Sequence, residues 1–204
     1  MQLYFAPTSP YSRKVLVCAH VLQAFEEIAC MAVAASPIRY SGVVGAVNPL
    51  GKIPVAVPDC PDGPALFDSR VICEYLDARH GPRLYPPCGP ARWQALTQQA
   101  LGDGVLDAAL LIRYEHTARP AGLQCRQWTQ GQWQKIEAAL HGIESQARQL
   151  RADDFSIGEI SLACALGYLD FRYPEFDWRA AHPQSAAWYA DFSRLPAMIA
   201  TQPH

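Results

Sequence analysis

Cationic excess is missing from this sequence. Seventeen lysines and arginines stand against 19 aspartates and glutamates in 204 residues, a formal net charge of −2. A duplex-binding surface needs a basic stripe to neutralise phosphates, so nucleic acid is not expected as a partner. Long apolar runs are missing as well. The stretch Val105 to Ile112 is broken by Asp107 and is far shorter than the roughly 20 residues that span a bilayer. No membrane association is expected. The amino terminus, MQLYFAPTSPYSRK, has no basic segment ahead of an apolar one, so no secretory signal is read there and a cytoplasmic location is expected.

Paired cysteines and clustered histidines are also lacking. Cys18, Cys30, Cys60, Cys73, Cys88, Cys125 and Cys164 are odd in number and include no C-x-x-C. A disulfide framework is therefore not expected, and most of the seven are read as small buried hydrophobes. The six histidines form no H-x-x-x-H or H-E-x-x-H, so no metal site is expected. What is present is globular chemistry: half the residues are apolar and 18% are charged, enough for one generous domain or two modest ones.

The first 80 residues mix strand and helix patterns. Gln2 to Ala6, ended by Pro7, reads as a short buried strand. Tyr11, Val15, Cys18 and Leu22 form one stripe of a helix. Glu27 to Val33 is a second run of strand length, and Pro54–Pro58 with Ala65–Phe67 reads as a hairpin across the turn-rich Asp59–Pro64. Another helix starts at Ser69 and stops at His80-Gly81-Pro82. Residues 81–90, GPRLYPPCGP, hold four prolines and two glycines and read as a linker. Strand signals then cease. Trp93 to Glu115, the stripe Ile136-Leu140-Ile143-Ala147-Leu150, the S-x-x-E capping box Ser156–Glu159 and the segment Ser185 to Arg194 all predict helices. The expected division is 1–80, a linker at 81–90, and an all-helical 91–204.

Three segments of the first half could carry chemistry. Thr8-Ser-Pro-Tyr-Ser-Arg-Lys14 joins the first strand to the first helix, with Ser9 at the N-cap position and Pro10 in the first turn. Ser9 either only caps the helix or presents a hydroxyl where the helix dipole favours an anion such as a thiolate. Asn48-Pro-Leu-Gly-Lys-Ile-Pro-Val55 is not a P-loop, because five residues separate Gly45 from Gly51 and Ile53 follows Lys52. Pro54 is either an edge-strand proline or a cis proline that turns the preceding backbone toward a ligand. Phe67-Asp-Ser-Arg-Val-Ile72 places Asp68 and Ser69 where a helix begins. They are an N-cap pair, or a carboxylate and a helix terminus suited to an α-amino and α-carboxylate pair.

Taken in order, S-P-Y-x-R-K-V, N-P-L-G-K-I-P-V, F-D-S-x-x-I, the proline-rich linker and the S-I-G-E box resemble the cytosolic glutathione transferase family over essentially the whole chain. The resemblance implies an α/β thioredoxin-like first domain that binds glutathione and an all-α second domain that contributes the electrophile site. Ser9 lies where the family places its catalytic Ser or Cys, and would donate a hydrogen bond to the glutathione sulfur. Thr8 or Ser12 could take that role instead. Ile53, before a cis Pro54, would pair through its backbone with the cysteinyl part. Asp68 and Ser69 would hold the γ-glutamyl end, and Lys52 the glycyl carboxylate. Tyr4 lies inside the strand, which suits it poorly to the tyrosine role of other classes.

With Ser9-x-x-Ser12 in place of C-x-x-C, dithiol redox chemistry is not implied. The electrophile pocket is assigned to Tyr11, Leu110, Arg113 and Tyr114, which equally suit ordinary helix packing. The activity implied is conjugation of glutathione to a small apolar electrophile, as in detoxification, without a metal. A non-catalytic glutathione-binding regulator or scaffold is the alternative, as is a glutathione-dependent lyase, isomerase or peroxidase. A homodimer is implied too, with Arg70, Arg79 and Arg92 flanking its interface.

Overall fold

The computed structural model describes residues 1–60 and 63–203, so Pro61 and Asp62 of the expected hairpin turn lie outside the described residues. In chain order the elements are β1 (Gln2–Phe5), α1 (Pro10–Val21), β2 (Ala29–Ala32), α2 (Gly42–Gly45), β3 (Val55–Val57), α3 (Ser69–Arg79), α4 (Gly89–Thr117), α5 (Arg126–Gln146), α6 (Ile157–Arg172), α7 (Pro183–Phe192) and α8 (Pro196–Ala200). Two compact units result: Met1–Arg92 with Pro196–His204, and Trp93–Leu195. The tail therefore returns to the first unit rather than staying with the helices expected over 91–204. Gly89 and Pro90, expected in the linker, already belong to α4. Among the described residues no helix is long and apolar enough to cross a membrane.

The first unit is a small mixed α/β layer in which β1 lies between β2, parallel to it, and β3, antiparallel to it. Of the run expected to be a buried strand, only Leu3 is fully buried. All four residues of β2 are exposed, as befits an edge strand. The hairpin is reduced to one antiparallel bridge, Ala56 to Leu66. Its two backbone hydrogen bonds measure 3.0 and 2.7 Å.

Helix α1 starts where Ser9 Oγ accepts the Ser12 amide at 3.2 Å and Pro10 occupies the first turn. Of the expected stripe, Val15, Cys18 and the C-cap Leu22 are buried, while Tyr11 is half-buried. Arg13 reaches from α1 to the Met198 carbonyl at 3.2 Å and so ties α8 to this unit. The proline-rich segment is held in place. The buried Asp77 carboxylate accepts the amides of Arg83, Leu84 and Tyr85 at 2.8–3.0 Å.

The second unit is built around α6. Every residue from Ile157 to Leu169 is buried, the signature of a helix that is apolar on all sides. Its start is the predicted capping box: Ser156 Oγ accepts the Gly158 amide and the Ser156 amide donates to Glu159 Oε2, at 3.1 and 3.0 Å. Helix α4 lies against α6 almost backbone to backbone. A Cβ at Gly102 would stand 2.7 Å from the Ser161 carbonyl carbon and oxygen. Gly158 faces the Gln98 side chain and, with a Cβ 3.1 Å away, the Ala95 carbonyl oxygen. Because residue numbers rise together along both helices, α4 and α6 run parallel.

The cysteines depart from expectation. Cys18, Cys73 and Cys164 are buried, but Cys30, Cys60, Cys88 and Cys125 are exposed, and all seven are free thiols. Burial was inferred from residue type alone, and loop positions such as 60, 88 and 125 are set by turns rather than by apolar periodicity.

Two glycines of α4 give a direct test of the packing. Gly102→Ala drives a Cβ into fixed backbone and is expected to destabilise by about 1–3 kcal/mol. Gly104, with nothing within 4 Å of a Cβ, should gain up to about 1 kcal/mol as alanine from helix propensity. Urea denaturation midpoints of the two variants should move in opposite directions.

Candidate functional site

Strand register brings three connections to one end of the small sheet. Tyr4 of β1 lies opposite Val55 of β3, so the residues entering β3, Ile53 and Pro54, come level with the exit of β1 at Phe5–Ala6. Ala56 pairs with Leu66 in antiparallel sense, which brings Phe67 and Asp68 alongside Val55 and Pro54. The β1–α1 turn, the approach to β3 and the start of α3 therefore share one edge. The residues expected to bind one ligand, Ser9, Ile53, Pro54, Asp68 and Ser69, fall in those connections.

Ser9 is half-buried at the N-cap of α1, and accepts a hydrogen bond from the Ser12 amide. The cap uses its oxygen as acceptor, so the O–H remains able to donate. Ser12, three residues on, is fully buried, and its Oγ has no partner. Thr8 is exposed. Arg13 and Lys14, the next two residues of the motif, are buried in the first unit.

The Ile53–Pro54 peptide is cis, one of the two forms that the sequence left open for Pro54. Asn48 organises this loop, a role its sequence neighbours gave no reason to single out. It is buried, donates from Nδ2 to the Lys52 carbonyl at 2.8 Å and accepts the Leu50 amide at 3.0 Å. Gly51 has φ +63°, a conformation that favours glycine. Lys52 is exposed, and its carbonyl is held by Asn48.

Asp68 is exposed and caps α3, accepting the Arg70 amide at 2.9 Å, while Ser69 is buried as the first helical residue. The peptide joining Phe67 to Asp68 is also cis. A carboxylate and a helix N-terminus thus stand at one place. That arrangement offers an acceptor for an ammonium and a positive helix end for a carboxylate. Tyr4 sits within β1, paired with Met31 and Val55.

The four residues assigned to an electrophile pocket divide between the units. Tyr11 is on α1 in the first; Leu110, Arg113 and Tyr114 are on α4 in the second, all half-buried. Beside the α4 residues the parallel packing places Tyr168, Arg172 and Tyr173 of α6, which the sequence reading did not select. Burial raises the Tyr114 phenol above its ordinary value, with Arg113 opposing. Burial likewise raises Tyr168, with Arg172 and Arg113 opposing. Tyr173 is pushed up to about 12 by burial and by Tyr168, and it donates to the Ala109 carbonyl at 2.6 Å. Of the arginines expected near a subunit interface, Arg92 pairs with Glu74 at 2.7 Å and Arg79 donates to the Tyr75 hydroxyl at 3.4 Å. Among the described residues no group of three or more His, Cys, Asp or Glu could hold a metal ion.

Comparison with known proteins agrees with this geometry. Residues 3–84 match the family model "Glutathione S-transferase, N-terminal domain", and residues 126–191 match "Glutathione S-transferase, C-terminal domain". A glutathione transferase family member from Pseudomonas fluorescens Pf-5, solved with bound glutathione, is 45% identical, with a TM-score of 0.94 over 100% of this chain and 98% of its own. A structure of a Pseudomonas fluorescens Pf-5 family member with bound S-(propanoic acid)-glutathione is 46% identical, with a TM-score of 0.89 over 100% of both chains. The GST-like protein YibF of Escherichia coli K12 is 29% identical over 206 residues, covering 100% of this chain and 98% of its own. With both halves of the chain matched and these relatives aligned end to end, this protein belongs to the glutathione S-transferase family.

Proposed function

We propose that the protein is a glutathione S-transferase that activates glutathione as a thiolate and conjugates it to a small electrophile. The observation that carries this reading is the meeting of Ser9, Ile53-Pro54 and Asp68-Ser69 at one end of the sheet, set by the β1–β3 and Ala56–Leu66 pairings. The bound glutathione of the Pf-5 relative supports it. So does the S-(propanoic acid)-glutathione complex, whose ligand carries a substituent on the glutathione sulfur. Asp68 accepts the γ-glutamyl ammonium, the α3 terminus and Ser69 take the neighbouring carboxylate, and the Ile53 backbone aligns the cysteinyl unit. Lys52 offers its charge to the glycyl carboxylate.

Ser9 supplies the chemistry. Its hydroxyl donates to the sulfur, and the α1 N-terminus adds a positive potential. Lowering a thiol from about 8.5 to near neutrality takes only about 2–3 kcal/mol, within reach of those two effects together. Thr8, which is exposed, and Ser12, which is buried with its Oγ unpartnered, are the competitors for this role. The thiolate then attacks the electrophile directly, so no covalent enzyme intermediate is required.

Two substitutions should behave differently. Asp68→Asn keeps the helix cap and removes the charge, so glutathione affinity is expected to fall about tenfold or more by calorimetry. Asp68→Ala adds a loss of about 1 kcal/mol in stability from the missing cap. Ser9→Ala should leave affinity nearly intact and lower turnover about tenfold to a hundredfold. It should also raise the pH at which the thiolate absorbance of bound glutathione appears. If bound glutathione titrates like the free tripeptide in the unaltered protein, thiolate activation is wrong. Full turnover in Ser9→Ala, with loss in Thr8→Ala or Ser12→Ala, moves the donor to that residue.

A homodimer is the assembly proposed, and the exposed Val43, Leu50 and Val71 of the first unit give it apolar surface to cover. Sedimentation at micromolar concentration is expected to give twice the chain mass. A concentration-independent monomer rules the dimer out.

A further inference from the structure

The loop that leads into Lys52 and Ile53 is held from two sides, one buried and one exposed. The buried Asn48 holds it from within, through the Lys52 carbonyl and the Leu50 amide. From outside comes Tyr40, a residue the expected site does not include. Its hydroxyl donates to the Pro49 carbonyl at 3.2 Å. Its ring lies across two glycines. A Cβ at Gly45 would stand 2.5–2.6 Å from two ring carbons and closest of all to the hydroxyl, and one at Gly51 would stand 2.9 Å from two others. All of these residues belong to the first unit.

The sequence explains how an exposed ring comes to rest there. Ser41 is the N-cap of α2, its Oγ accepting the Val44 amide at 3.4 Å. An apolar residue just before an N-cap often packs on the fourth residue of the helix. For Tyr40 that fourth residue is Gly45, which has no side chain to meet it. The ring therefore passes over the end of α2 and reaches the loop beyond. Tyr40 stays 67% exposed, so the contact removes little apolar surface from water and burial is a weak reason for it. What the contact does achieve is restraint of the turn that closes through the Gly51 amide on the Asn48 carbonyl at 2.8 Å. A loop ordered before its ligand arrives loses less entropy on binding.

We propose that Tyr40 is a positioning residue for glutathione: by clamping the turn from Asn48 to Gly51 it sets the backbone at Lys52, so that the Lys52 side chain meets the glycyl carboxylate. The inference rests on the transferase reading above and deepens it. Tyr40 touches no ligand and acts through the loop. The γ-glutamyl end is independent of the clamp, because Asp68 and the start of α3 are placed by the Ala56–Leu66 bridge instead.

Calorimetry on the intact protein compares glutathione with its glycyl ethyl ester, which lacks the negative charge at that end. The unaltered protein is expected to bind the acid about fivefold more tightly than the ester, and Lys52→Met should bring that ratio near one. Tyr40→Ala should bring it most of the way to one. Gly45→Ala should do the same with the tyrosine still present, because the added methyl displaces the ring. An exposed ring moves aside cheaply, so this variant keeps its fold. Tyr40→Phe retains the ring contact without the Pro49 hydrogen bond and should keep part of the ratio. A merely structural role would weaken acid and ester alike, and an unmoved ratio in both Tyr40→Ala and Gly45→Ala overturns the proposal. So does a ratio that falls in Tyr40→Ala but not in Lys52→Met, since Tyr40 would then touch the ligand itself. Equal binding of acid and ester by the unaltered protein overturns the clamp and leaves the glutathione reading standing. Failure of glutathione itself to bind overturns the transferase reading, and the clamp falls with it.

Discussion

The pairing of β1 with its two neighbours is the constraint on which the rest of the first unit depends. One short strand, of which only Leu3 is fully buried, sets the position of the α1 turn on one side and the approach to β3 on the other. Because side chains alternate along a strand, a slip of one residue between β1 and β3 would turn Leu3 out of the core. It would also move Ile53-Pro54 away from the turn that holds Ser9. Packing and function are therefore fixed by the same register. The single Ala56–Leu66 bridge extends that register to Asp68, which explains how so small a sheet can organise three separate connections.

Each connection uses polar groups twice. Ser9 accepts a cap hydrogen bond and still has a proton to donate. Asp68 caps α3 and remains exposed. Asn48 satisfies two backbone groups of the loop that carries Lys52. The N-cap reading and the ligand-binding reading of Ser9 and Asp68, which look like alternatives in the sequence, are compatible: a hydroxyl or carboxylate has more hydrogen-bonding capacity than one cap consumes. Helix termini so capped also present the positive ends of two helices to whatever anion binds there.

In the second unit the comparable constraint is close approach of helices. Gly102 lets α4 and α6 touch through their backbones, Gly158 makes room for the Gln98 side chain, and the Tyr173 hydroxyl locks the far end on the Ala109 carbonyl. That contact sets which side chains of the two helices stand together near their C-terminal ends. Two arginines and three tyrosines gather there. The raised phenols are what burial produces when the nearby positive charge only partly compensates.

The sequence by itself determined the fold class, the capping box at Ser156, the start of α3 at Asp68-Ser69 and the glutathione-type motifs, because each rests on residues close together in the chain. Capping, proline placement and helical periodicity are local physics. What lay beyond it depended on contacts between distant segments. The exposure of Cys30, Cys60, Cys88 and Cys125, the near-complete exposure of β2 and the return of Pro196–Ala200 to α1 are decided by which surfaces neighbours cover. The burial of Ser12 but not Ser9 follows from the way α1 packs, although the two serines are three residues apart. Arg172 is the clearest case. Its place in the last turn of a helix is evident from the sequence, but that it acts on Tyr168 together with Arg113, 59 positions earlier in the numbering, follows from the close packing of α4 on α6.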